Sequence, residues 1–185
     1  MPSSHDHVQR WTLLGQRSEP AGYLKVRRHR YRYPDGREDD WDILYGGPTV
    51  AIVALTADDQ AVLVRQYRPG PDKVLLELPG GLVEANEPVT VAAARELLEE
   101  TGYQAGSLEV VMQTYLAAYA THVRHAVLAR GCRKVAEPGP DEAEFIEPVT
   151  LPVGHYIQHV LGGQLTDADM ALAGLVAAGL LTSAC

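Results

Sequence analysis

The run Thr49 to Thr56 (TVAIVALT) constrains the fold more than any other stretch of this chain. It is apolar almost throughout and has the length of a strand. Such a run predicts a central strand covered on both faces rather than a half-solvated one. Asp58-Asp59 turns the chain into Gln60–Tyr67 (QAVLVRQY), which predicts a hairpin. Val74–Leu78 reads as another short strand, and Pro79-Gly80-Gly81 as a loop that ends it. Leu108–Leu116, His125–Ala129 and Phe145–Leu151 read as further strands.

Upstream, Trp11–Tyr45 reads as β structure. Tyr23–Arg27 alternates in character, Tyr31-Arg32-Tyr33 resumes the alternation, Pro34-Asp35-Gly36 signals a turn, and Trp41–Tyr45 returns. Met1–Val8 reads as a loose arm in which His5 and His7 are solvated. Gly46-Gly47-Pro48 breaks the chain. It divides an N-terminal arm and β segment (1–46) from a main domain (47–185), a division that a chain of 185 residues accommodates.

Three helices are expected. Pro88–Thr101 has a proline suited to a first turn, the helix-forming run Ala92-Ala93-Ala94, and Gly102 as its stop. Its apolar stripe is expected to be Val91, Ala94, Leu97 and Leu98, with Arg95, Glu96, Glu99 and Glu100 on the other side. Val153–Leu161 and Ala168–Leu181 complete the set, the latter opened by a capping box between Thr166 and Asp169. Strands that bracket one helix, further strands and terminal helices together predict an α+β fold, a mixed-sheet α/β/α sandwich with a small N-terminal antiparallel β segment.

The bulk numbers exclude some classes of function. No apolar run approaches the roughly 20 residues of a membrane span. No basic start followed by an apolar stretch marks a secretory signal. Cys132 and Cys185 are the only cysteines, which fits a free-thiol cytoplasmic protein and no zinc cluster. The formal charge of −8 argues against nonspecific nucleic-acid binding. It leaves room for a small anionic substrate, because a bound Mg²⁺ or Mn²⁺ inverts the local sign.

The chemistry lies in the first helix. Glu96, Glu99 and Glu100 stand three and four residues apart, where like charges repel by roughly 0.2–0.5 kcal/mol per exposed pair. A cation relieves that repulsion. Mg²⁺ takes oxygen ligands, and glycines at 80 and 81 let backbone carbonyls reach the same point. Such a site grips a polyphosphate, polarises a P–O bond and acidifies a water.

Gly81, Glu87, Arg95, Glu96, Leu97, Glu99, Glu100, Gly102 and Tyr103 together resemble the Nudix box at every specified position. The resemblance implies a hydrolase of nucleoside diphosphates linked to another moiety. Glu96 and Glu100 are then the main metal ligands, Glu99 a further or water-mediated one, and the Gly80 carbonyl a backbone ligand. Arg95 orients the glutamates together with Glu87; its plainer alternative is a surface salt bridge.

Val64-Arg65-Gln66-Tyr67-Arg68 and Leu76-Glu77-Leu78-Pro79-Gly80-Gly81 look like the ADP-ribose and nucleotide-sugar pyrophosphatase branch. For that branch the resemblance implies a homodimer that exchanges its N-terminal β segment. It also implies substrate contacts from Arg68 and from an arginine of the N-terminal segment, here Arg28. Glu142, or alternatively Glu144, becomes the general base or an extra metal ligand on an acidic loop. ADP-ribose would give AMP and ribose 5-phosphate. One departure concerns specificity: no proline falls between Tyr103 and Pro138, and Leu116-Ala117-Ala118-Tyr119 occupies that region. Tyr119 either stacks on a base or packs in the core. The alternatives to this activity are a hydrolase of nucleoside triphosphates or dinucleoside polyphosphates, and a non-catalytic sensor of nucleotide sugars.

Overall fold

A computed structural model describes residues 24–139 and 145–181. The arm with His5 and His7, the β structure expected before residue 24, Glu142, Glu144 and Cys185 lie outside the described residues.

Two strands, β1 (Lys25–Arg32) and β2 (Glu38–Tyr45), form a separate antiparallel sheet. The basic face of β1 is answered across the ladder by acids of β2. Arg28 lies opposite Asp42 and Arg30 opposite Asp40, and Arg32 lies opposite Glu38 at 2.8 Å. These opposite-charge pairs favour this register.

The main sheet runs β10 (Ile146–Pro152), β4 (Gln60–Arg68), β3 (Thr49–Thr56), β9 (Val123–Lys134), β7 (Tyr103–Gln104). Beside this path, β5 (Lys73–Glu77) pairs β4, β6 (Gly80–Leu82) pairs β3, and β8 (Ser107–Tyr115) pairs β9. Among the described residues only β3 and β9 pair in parallel in this sheet, so the sheet is mixed.

The apolar run of β3 feeds two cores. Val50, Ile52 and Ala54 face α1 (Val89–Thr101), where Ala92, Ala93 and Leu97 meet them with Val62, Val127 and Ala129. Ala51, Val53 and Leu55 face the opposite way, onto α2 (Val153–Leu161) and α3 (Ala168–Ala177), through Tyr156, Val160, Met170, Ala171 and Leu175. Side chains alternate faces along a strand, so a strand with helices on both sides needs apolar residues at every position. Each fully buried Leu, Ile or Val here contributes roughly 1.5–3 kcal/mol. Helix α3 comes close to β3 at Gly174, where a Cβ would fall 2.3 Å from Val53 Cγ2. Cys132 is buried in the α1-side core, and burial pushes its thiol up to about 11. Among the described residues no helix is long and apolar enough to cross a membrane.

Four expectations are corrected. Pro79 does end β5, but Gly80–Leu82 is a strand and not a loop, because its backbone pairs with Thr49–Ala51 of β3. Helix α3 stops at Ala177, since Gly179 takes a positive φ of 76°. Its capping box does not form: the cap residue is Asp167, Thr166 bonds Glu77, and Asp169 bonds Arg124. Finally, the apolar stripe expected on α1 is not the buried face. Val91, Ala94 and Leu98 are exposed, while Ala92, Ala93, Glu96, Leu97 and Glu100 point inward. Gly102 stops α1 as expected, in the left-handed region with its N–H on Leu98 O.

Candidate active site

The inward turn of α1 places two carboxylates against a glycine backbone. Gly80 N–H donates to Glu100 Oε2 at 2.8 Å. Gly80 has φ +155°, and a Cβ there would sit 2.1 Å from Val50 O, so only glycine brings β6 this close to β3. A Cβ on Gly81 would sit 2.5 Å from Glu96 Oε1. The two glycines thus clear the space into which Glu96 and Glu100 reach.

Arg95 organises the surrounding acids. Its Nε and Nη2 each bond one oxygen of Glu87 at 3.1 Å, a bidentate fork. Nη1 reaches Glu96 Oε1 at 2.9 Å and Glu99 Oε2 at 3.1 Å, and Nη2 also reaches Leu82 O at 3.0 Å. Glu87 Oε2 accepts Glu84 N–H at 2.9 Å, so the loop before α1 is tied down too. The hydrogen bond from Arg95, with that of the Glu84 backbone, holds the Glu87 carboxyl below the usual carboxylate range. In return, Glu87 first, then Glu96 and Glu99, raise the Arg95 guanidinium further above its ordinary value against the effect of burial. Glu99 is the exposed member of the group, with 47% of its side chain accessible. Among the described residues no three His, Cys, Asp or Glu side chains form a ready metal cage; Arg95 stands among the acids.

A cleft of about 240 Å³ borders the same glycines. Its polar lining is Thr49, Arg68, His122, Arg124, His125 and Asp167. Arg68 Nε and Nη2 bond Glu77 Oε2 at 3.1 and 3.0 Å. Glu77 is fully buried, and it also accepts Thr166 N–H at 2.8 Å and Thr166 Oγ1–H at 2.5 Å. Burial works against the charge of Arg124, but bonds to Asp169 and Asp167 outweigh it and raise its pKa. Those bonds are 2.6 Å to Asp167 and 2.9 and 3.0 Å to Asp169. Both ion pairs fasten the segment between α2 and α3 beside the cleft.

The structure therefore brings Gly80, Glu96, Glu100, Arg95 and Arg68 into one neighbourhood. Arg28 and Tyr119 do not line the cleft. Arg28 is exposed on β1 with Asp42 Oδ1 3.5 Å away. Tyr119 is 57% exposed, not packed in the core, and its carbonyl accepts Leu44 N–H at 2.8 Å. Glu77, His122, Arg124, His125 and Asp167 were not among the residues predicted from sequence. The signal on offer for three of them was the Thr-His-Val-Arg-His run at 121–125, which sets titratable side chains at the start of an apolar strand.

The NUDIX domain model matches residues 46–159, more than half of the chain. The chain belongs to the NUDIX domain family. Its sequence relatives include an ADP-ribose pyrophosphatase of Bacillus subtilis, 30% identical over 76% of this chain and 77% of that protein. Another is an ADP-ribose pyrophosphatase of Mycobacterium tuberculosis, 30% identical over 93% of this chain and 84% of the relative. A methanol dehydrogenase activator of Bacillus methanolicus is 30% identical over 81% and 82%. Among solved structures, an ADP compounds hydrolase superposes with a TM-score of 0.74 at 24% identity, covering 94% of this chain and 95% of that one. That likeness concerns the fold. The sequence matches support the resemblance of this Nudix hydrolase to the ADP-ribose and nucleotide-sugar pyrophosphatase branch.

Proposed function

We propose that this Nudix hydrolase cleaves the pyrophosphate bond of ADP-ribose or a related nucleoside diphosphate sugar, giving a nucleoside monophosphate and a sugar phosphate. The observation that carries the reading is the convergence of buried Glu96 and Glu100 on the Gly80–Gly81 backbone, which also borders the cleft. The donor set suits a hard divalent cation: carboxylates, backbone carbonyls and a space kept clear of Cβ atoms. Glu96, Glu100 and the Gly80 carbonyl would hold Mg²⁺ or Mn²⁺, with Glu99 in support. Bound there, the ion supplies Lewis-acid polarisation of a phosphoryl oxygen and acidification of a water.

The remaining work falls to the protein. Arg95 fixes Glu87, Glu96 and Glu99 in orientation, and Arg68 borders the substrate. Glu142, with Glu144 as alternative, takes the proton of the attacking water. The active form is a cytoplasmic homodimer built through the 1–46 segment, with Arg28 reaching substrate and Tyr119 available to stack on its base. Exposed Leu24, Val26, Tyr31 and Trp41 on that segment support the pairing. Purified protein with Mg²⁺ or Mn²⁺ is expected to hydrolyse at least one of ADP-ribose, ADP-sugars and GDP-mannose, and chelation to abolish turnover. Absence of turnover on the whole panel would remove the proposal. A second reading, regulation of another enzyme, is favoured by the methanol dehydrogenase activator relative. Binding of a nucleotide sugar without turnover would select it.

A further inference from the structure

We infer that His122 binds the hydroxylated sugar end of the substrate and is a specificity-determining side chain; this rests on the hydrolase reading above. The charged and imidazole side chains that line the cleft differ in their hydrogen-bond state. Arg68 is held by Glu77, and Arg124 by Asp167 and Asp169. His125 Nδ1 lies 3.1 Å from Thr49 O; a carbonyl only accepts, so that nitrogen carries the proton. His122 differs. Its Nδ1 is buried and has no partner. A buried polar atom left unpaired is costly, and its persistence in a cleft points to a partner that arrives with the ligand.

The ring is also positioned with care. Gly46 packs directly on it, and a Cβ at that residue would fall 1.8 Å from His122 Nε2. Gly46 is itself held by Thr121, with Gly46 N–H on Thr121 Oγ1 at 3.1 Å and Thr121 Oγ1–H on Gly46 O at 3.2 Å. The segment leading from β2 thus sets where the imidazole stands.

The lining chooses among the parts of a nucleotide sugar. Both arginines of the cleft already carry carboxylates, which leaves the phosphates to the proposed metal site at its Gly80 border. A base stacks best on a broad aromatic ring, and none of the described lining residues is Phe, Tyr or Trp. The volume, about 240 Å³, is below the roughly 300–1,000 Å³ of a site that encloses a whole drug-sized ligand. A sugar ring is small, offers hydroxyls that both donate and accept, and presents an apolar face to Val50, Leu78 and Met170. An imidazole with one nitrogen donating and the other accepting complements such hydroxyls.

The test uses the full chain with wild type, His122→Leu, His122→Asn and Gly46→Ala. ADP-ribose is the substrate, and ribose 5-phosphate and AMP are competitive inhibitors. His122→Leu is expected to weaken inhibition by ribose 5-phosphate by roughly tenfold, the worth of one or two hydrogen bonds, and to leave inhibition by AMP unchanged. Its thermal midpoint is expected to stay level or rise, because an unpaired buried polar atom is removed. Gly46→Ala, which displaces the ring, should reproduce the inhibitor pattern, and His122→Asn should restore part of it. Equal loss for both inhibitors, loss confined to AMP, or no loss overturns the assignment. If wild type turns over no nucleotide sugar, it is the hydrolase reading that fails instead.

Discussion

Replacing Glu77 by Gln tests what holds the cleft in shape. Glu77 Oε2 accepts three donors: Arg68 Nε, Arg68 Nη2 and the Thr166 hydroxyl. Oε1 accepts Thr166 N–H. A glutamine offers one oxygen and one NH₂ in the same space. With its oxygen toward Arg68, the NH₂ faces Thr166 N–H, donor against donor, and the part-buried Thr166 amide loses a hydrogen bond to a charged acceptor, worth about 1.5–3 kcal/mol. The opposite orientation loses the three bonds at Oε2. In either case Arg68 keeps its charge and loses its counter-ion; its side chain is 35% exposed, so water offsets part of that loss. The sum is about 2–4 kcal/mol. For a chain of this size that lowers the thermal midpoint by roughly 5–15 °C. Urea titration at neutral pH, followed by circular dichroism and fitted with the wild-type m-value, measures it. A double-mutant cycle with Arg68→Gln should show coupling above about 1 kcal/mol. A change under about 1 kcal/mol in Glu77→Gln, or additive single variants, would refute the view that this ion pair fastens Thr166 to the sheet.

Three other outcomes are expected. Glu100→Gln keeps an acceptor for Gly80 N–H but loses its charge; the fold should persist while kcat falls by roughly 10²–10⁴-fold, the equivalent of several kcal/mol of transition-state stabilisation, and a near wild-type rate removes the proposed metal role. Glu87 has a folded pKa held below its ordinary value of 4.5, chiefly by Arg95, so the stability it contributes is complete above that value and is lost as pH falls through the lowered one. Acid denaturation below about pH 4.5 should accordingly be less steep in Glu87→Gln, and coincident curves would contradict the linkage. Tyr156 is fully buried, its hydroxyl has no partner, and burial raises its pKa. Tyr156→Phe should therefore unfold at the same temperature or higher, and a marked loss of stability would mean that the hydroxyl has a partner in solution.

Local pattern made the strands and helices legible. Thr49–Thr56 is a central strand because every second residue serves a different helix layer, which a continuous apolar run anticipates. Val153–Leu161 is a helix over the range its spacing predicts. The errors come where a partner distant in sequence overrides a local preference. Thr166 would cap α3, but buried Glu77 competes for its hydroxyl and offers a charged acceptor. Gly80–Leu82 looks like a loop by composition, and becomes a strand because glycine alone tolerates the approach to Val50.

By itself the sequence determined the family, since Gly81 through Tyr103 carries the whole pattern on one contiguous stretch. It could not say which way the helix faces. Periodicity assigns glutamates to solvent because an unpaired buried charge is prohibitive. Tertiary structure reverses that for Glu96 and Glu100 by supplying Arg95 and the Gly80 amide as partners, and then turns Val91 and Leu98 outward. The cleft was decided only in three dimensions. Arg68 of β4, the His122–Arg124 stretch at the start of β9 and Asp167 before α3 come from separate parts of the chain, and no spacing rule links one of these three to another before the sheet has formed.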